Sequence, residues 1–62
     1  MDFFDAVKLK SRLVRFKNET TKSQFGDVWL QGHITSVMSY LIAIDGVPYS
    51  RVDLQVEEIK NG

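Results

Sequence analysis

The side chains that could do chemistry are few: one histidine, His33, and no cysteine in 62 residues. A catalytic centre needs a base, a nucleophile or a metal site assembled from several groups. His33 could act with Asp27, Asp45 or Asp53 and with Ser36, Ser39 or Ser50, in the manner of a base that activates a hydroxyl. Nothing in their spacing brings these residues together. A zinc ion would need two or three further ligands from other strands or other subunits. The chain is therefore expected to be no enzyme, to need no cofactor or metal, and to work by binding.

Three groups of residues suit binding. In "VWLQGHITSV", residues 28–37, apolar and polar side chains alternate as in a half-buried strand. Trp29, Gln31 and His33 then share an outward row with Thr35 and Val37. An aromatic, an amide and an imidazole in a row can stack on bases and bond their edges; the same row can instead be covered by a helix or another subunit. Tyr40 and Tyr49 are either stacking platforms or edge-of-core residues with wetted hydroxyls. Lys8, Lys10, Arg12, Arg15 and Lys17 form the clearest electrostatic feature. On one face of a strand such residues could track phosphates, or they could protect a sheet edge and stay solvated. Asp53, Glu57 and Glu58 read as solvated acids, able to pair with a basic arm or to repel nucleic acid.

These residues need a scaffold, and the chain's patterning suggests one. "MDFFDAV" places Asp2 at an N-cap and Asp5 three positions on, close to a capping box, so one or two helical turns are expected. From Val7 a two-fold pattern sets in, with a phase slip between Leu13 and Val14. The slip suits a β-bulge, or a helix over 2–11 giving way to a strand over 12–17. Residues 17–27, "KNETTKSQFGD", read as a polar and mobile loop. "NET" within it matches a glycosylation triplet, which short sequences carry often by chance. After a break near Met38-Ser39, "YLIAI" suits a buried strand, Asp45-Gly46 a type I′ hairpin turn, and "VPYSRV" a strand with Pro48 near its start. "DLQVEEI" reads as a turn running into a terminal strand over 56–59. Four or five short strands with tight turns describe a small antiparallel barrel, mainly β, with a short N-terminal helix. Gly32, on the inward row, is the residue that lets the long second strand bend.

"WLQGHITSVMSYLIAI" and "PYSRVDLQVEEI" resemble the Sm-like fold among SH3-like barrels, and within it the bacterial RNA chaperone family Hfq. Leu30-Gln31-Gly32-His33-Ile34 matches that family's Leu-Gln-Gly-x-Ile pattern, Tyr40 its following aromatic, and Tyr49 the tyrosine of its last motif. Ser50-Arg51 stands where the family has Lys-His, Met38 where it usually has an acid, and the loop before Trp29 is several residues longer. The resemblance implies an SH3-like (Sm-like) barrel in which Tyr40 stacks uracil and Arg51 supplies a cationic contact to phosphate. Plasmid-borne type II dihydrofolate reductases share a similar Trp-Gln-Gly-x-Ile stretch, but their Val-Gln-Ile-Tyr active-site stretch is missing here, so their activity is not implied.

Bulk properties narrow the classes further. At this length there is one domain, 1–62, which buries only about 60% of the surface its unfolded chain exposes. Without cysteine no disulfide framework can help, and a reducing cytoplasm is the expected setting. Apolar runs are too short for a membrane span and the N-terminus lacks a signal peptide's pattern. Net charge is zero, but residues 1–17 carry five basic against two acidic side chains, and residues 18–62 three basic against six acidic. That split, +3 then −3, makes a homo-oligomer conceivable. Two functions follow as expectations. One is binding of single-stranded RNA through Gln31, Tyr40, Tyr49 and Arg51, with Trp29, Lys8, Lys10 and Arg12 in support, for which a ring of weak sites is one arrangement. The other is a protein-interaction module of phage or plasmid type, an adaptor or inhibitor that docks on a host protein through strand edges and the Trp29 row.

Overall fold

The computed structural model describes residues 2–60. Its elements run α1 (Phe3–Lys8), β1 (Leu13–Lys17), α2 (Glu19–Phe25), β2 (Leu30–Val37), β3 (Leu41–Ile44), β4 (Val47–Ser50) and β5 (Gln55–Glu58). All strand pairings are antiparallel, and the five strands form one sheet in the order β4-β3-β2-β1-β5. The fold is therefore mainly β with a short N-terminal helix. The end strands β4 and β5 are not paired with each other, so the sheet is not closed into a barrel.

Each strand's inward row feeds one core. Val14 and Phe16 of β1, Ile34 of β2, Ile42 and Ile44 of β3, Leu54 before β5 and Ala6 of α1 are buried. Leu9, Leu30, Val37, Tyr49 and Val56 pack against them. The sheet curls around this cluster. Strands β1 and β4 lie three spacings apart, roughly 14 Å in a flat sheet at ~4.8 Å per strand. Yet the Phe16 and Tyr49 rings meet with centroids 5.0 Å apart. A register shift between Ile34 and Ser36 helps the curl. There Thr35 is the extra residue of a β-bulge, which bends and twists its strand.

The bulge also changes which side chains face in. Ile34 pairs with Ile44 but Val37 with Ile42, so one added residue flips the alternation and turns Val37 toward the core, not outward as the unbroken alternation expects. The Thr35 hydroxyl compensates for the broken ladder: it donates to the Ala43 carbonyl at 3.3 Å and accepts from the Gly46 N–H at 3.2 Å. The hairpin itself forms as its residues dictate. Asp45 and Gly46 both take positive φ, 52° and 78°, as a type I′ turn requires.

Elsewhere the local expectations needed correction. Asp2 sits at the N-cap of α1, but its side chain makes no capping hydrogen bond. The helix ends at Lys8 and a turn follows in which Ser11 has φ 68°; the phase slip before Val14 is thus a helix giving way to a strand, with a shorter helix than 2–11, and not a bulge in a long strand. Lys8, Lys10 and Arg12 therefore do not alternate along a strand. The expected polar loop contains helix α2, held by a complete capping box. The Asn18 side chain accepts from the Thr21 N–H at 2.8 Å, and the Thr21 hydroxyl accepts from the Asn18 N–H at 2.9 Å. Asn18 is only 6% exposed, with its amide committed to this cap. No helix among the described residues is long and apolar enough to cross a membrane.

Candidate functional site

The outward row of β2 meets β1. Arg15 lies opposite Gln31 on one side and Glu57 on the other. The Arg15 guanidinium sits 4.7 Å from the Trp29 ring centroid, and the Lys17 ammonium 4.5 Å from it, a cation–π arrangement that orders both stems along the ring. Each cation also has an acid. Arg15 Nε donates to Glu57 Oε1 at 3.0 Å, and Lys17 Nζ to Asp27 Oδ1 at 2.9 Å. The Lys17 hydrogen bond, then its charge, hold the Asp27 carboxyl below its ordinary pKa, with Lys22 adding to the effect. Trp29 is half-buried, and Gln31 and His33 are exposed. What covers the Trp29 ring is thus a pair of neutralised cations.

His33 does not meet a catalytic partner. Its backbone N–H donates to Asp45 Oδ1 at 3.1 Å and its carbonyl accepts from the Asp45 N–H at 2.9 Å. Asp45 therefore binds the strand at His33 and not the imidazole, while Asp27 is held by Lys17. No group of three or more His, Asp or Glu side chains among the described residues is placed to hold a metal ion.

Tyr40 and Arg51 are brought together. The turn over 38–41 is closed by a hydrogen bond from Met38 N–H to the Leu41 carbonyl at 2.8 Å. Next to it, the Arg51 N–H donates to the Tyr40 carbonyl at 3.0 Å, and Arg51 Nε donates to the Ser39 carbonyl at 2.9 Å. The guanidinium is thereby fixed against the turn, with Tyr40 81% exposed beside it. Met38, Leu41 and Val52 are exposed in the same place, Val52 at 87%. Tyr49, by contrast, is half-buried with its ring on Phe16, so its aromatic face serves packing. Gln31 lies on the outward face of β2 with Trp29 just before it, and Lys8, Lys10 and Arg12 run from the end of α1 to the start of β1, so the sequence candidates other than Tyr49 fall into three separate regions.

Two exposed features had no clear sequence signal. Leu41 lies within the apolar run expected to be a buried strand, Met38 follows Val37 and Val52 stands between two charged residues, so nothing in the sequence groups them, and only the pairing of β3 with β4 does. Helix α2 and edge strand β4 also enclose an open groove of about 440 Å³ lined by Phe25, Val47, Pro48 and Tyr49 among others. The edge itself is blunted. Tyr40 and Arg51 bond across the hairpin, and alternation then turns the Pro48 nitrogen, opposite Ala43, to the open side. An N–H is missing there, which discourages strand addition.

Compared with protein-family models, curated proteins and solved structures, the chain matches none.

Proposed function

We propose that this chain is a non-catalytic binding module that docks on a partner protein through the open end of its β3–β4 hairpin, opposite the Asp45-Gly46 turn. The observation that carries the reading is the makeup of that end: exposed Met38, Tyr40 and Leu41 at one turn, with half-buried Arg51 bonded to it and exposed Val52 next in the chain. Aromatic residues, Met and Arg are the types enriched at protein interfaces, and Lys and Glu are depleted there. An ordered Arg and a projecting Tyr are also the commonest anchors. Contiguous exposed apolar side chains rimmed by polar ones usually mark an interaction site.

A second reading is single-stranded RNA binding. Its support is the exposed Tyr40 ring beside a positioned Arg51, a pairing suited to base stacking and a phosphate contact. The curled sheet, though not closed, is compatible with the SH3-like or Sm-like barrel that this reading assumes. The pairing of Arg15 and Lys17 with acids weakens it, since those cations are already neutralised.

Chemical cross-linking from position 52 in the producing cell, followed by reconstitution with the purified partner, separates the two. Docking predicts a nuclease-resistant stoichiometric complex that Tyr40→Ala and Val52→Asp weaken by at least about tenfold, ~1.4 kcal/mol each, while circular dichroism stays native. Native mass measurement of the isolated chain should then give a monomer. Binding of single-stranded RNA that falls with salt and is lost in Tyr40→Ala and Arg51→Ala, or a hexamer or heptamer, would replace docking with the RNA reading.

A further inference from the structure

The cations that remain lightly compensated collect in a different place. The end of α1, the start of β1 and the end of β5 enclose an open cleft of about 810 Å³, with Lys8, Arg12 and Lys60 around it and Leu9 and Ile59 in its lining. Among the described residues, Glu58 is the only acid in the lining. Arg12 approaches it at 3.9 Å, a charge contact beyond hydrogen-bond length. Three cations against one acid leave the cleft positive in a molecule whose net charge is zero. The other ion pairs, Arg15–Glu57, Lys17–Asp27 and Lys22–Glu19, are one to one.

The backbone at this cleft is strained. Ser11, also in the lining, holds φ 68° without being glycine, a conformation that side chains other than Asn and Asp seldom adopt. It is clamped there by β2: the Ser11 N–H donates to the Ile34 carbonyl at 2.7 Å, and the Ile34 N–H to the Arg12 carbonyl at 3.2 Å. This turn is what sends Lys8 and Arg12 to the cleft from opposite sides of Ser11. Strain held in place by surrounding hydrogen bonds is a feature of binding sites.

We infer that this cleft binds a phosphate ester. Cations from three segments of the chain line the cleft and can approach a multi-oxygen anion, with Arg12 as the forked donor, and apolar Leu9 and Ile59 in the same lining can take an uncharged body. The site shares no residue with the hairpin end and does not depend on the docking reading. Phosphate arrives either on a free nucleotide-sized ester or on a nucleic-acid strand, and the probes distinguish these.

The test is titration of the full chain, followed by amide shifts, with inorganic phosphate, uridine monophosphate, uridine and a short oligouridylate. Phosphate and the monophosphate should shift Ser11, Arg12 and Ile59 saturably, and uridine should not. Lys8→Ala and Arg12→Ala should each weaken the monophosphate about fivefold, the upper end of what a solvent-exposed ion contact contributes, and Glu58→Gln should tighten it. Lys10→Ala removes the same charge outside the lining and should change little. Tighter binding of the oligouridylate at the same amides assigns the ester to a strand, and equal or weaker binding assigns it to a free nucleotide. Shifts that never saturate at low salt, or Lys10→Ala as damaging as Lys8→Ala, would reduce the cleft to general electrostatic attraction and overturn the site.

Discussion

Gly32 shows most directly how one residue governs this sheet. A Cβ built there would lie 2.6 Å from Ile44 Cγ2 and 2.6 Å from Asp45 Oδ2. Its backbone is not in the left-handed region, so the requirement is space. Bending was the reason expected from the sequence; the bulge at Thr35 marks the irregularity instead, and Gly32 provides a close approach. Gly32→Ala should push the Asp45 carboxylate off the His33 N–H and displace buried Ile44, at a cost of about 1–3 kcal/mol. That corresponds to a melting temperature lower by roughly 4–8 °C per kcal/mol for a domain of this size; an unchanged melting curve would refute this account. Asp27 offers a second test. Its folded-state pKa is depressed, foremost by the Lys17 hydrogen bond. Its stabilising contact is therefore complete above the ordinary carboxylate value of ~4 and is lost as pH falls through the lower folded value. Because Lys17 also lies over Trp29, Trp29 fluorescence should change in that acid range, and Asp27→Asn should remove the transition.

Among the elements, α2 was the least visible in the sequence. "ETTKSQF" has one large apolar residue and no 3.6-residue apolar stripe, so periodicity cannot reveal it. Its start is set by Asn18 and Thr21, a capping box with Thr where Glu or Gln is usual. Asn18→Ala should cost about 1 kcal/mol, within the usual range for a lost N-cap, with a small loss of far-ultraviolet helical signal, and Asn18→Ser should recover most of it. Equal stability of Asn18→Ala and the natural chain in urea would show that tertiary packing alone holds the helix. The hairpin is the opposite case. Asp45-Gly46 between two apolar runs was readable at once, because positive φ at two successive positions admits few residue types.

For the whole molecule, the strand positions and the inward rows through Ile34 follow from local rules, since alternation, turn chemistry and φ preferences act within a few residues. Those rules determined a mainly β chain with a short N-terminal helix; it was the family resemblance, not these rules, that singled out Arg51 beside Tyr40. They could not assign Val37 its side, because a bulge is a property of two paired strands. Nor could they show that Tyr49 packs on Phe16 across a curled sheet while Tyr40 stays in solvent. The basic run is the clearest example. Its charges are plain in the sequence, but whether each meets an acid, a tryptophan ring or an open cleft depends on strand register and on one strained turn. The contact of Arg15 with Glu57 and the shared cleft of Lys8 and Lys60 each join parts of the chain more than forty positions apart, and only tertiary folding brings such distant charges to one place.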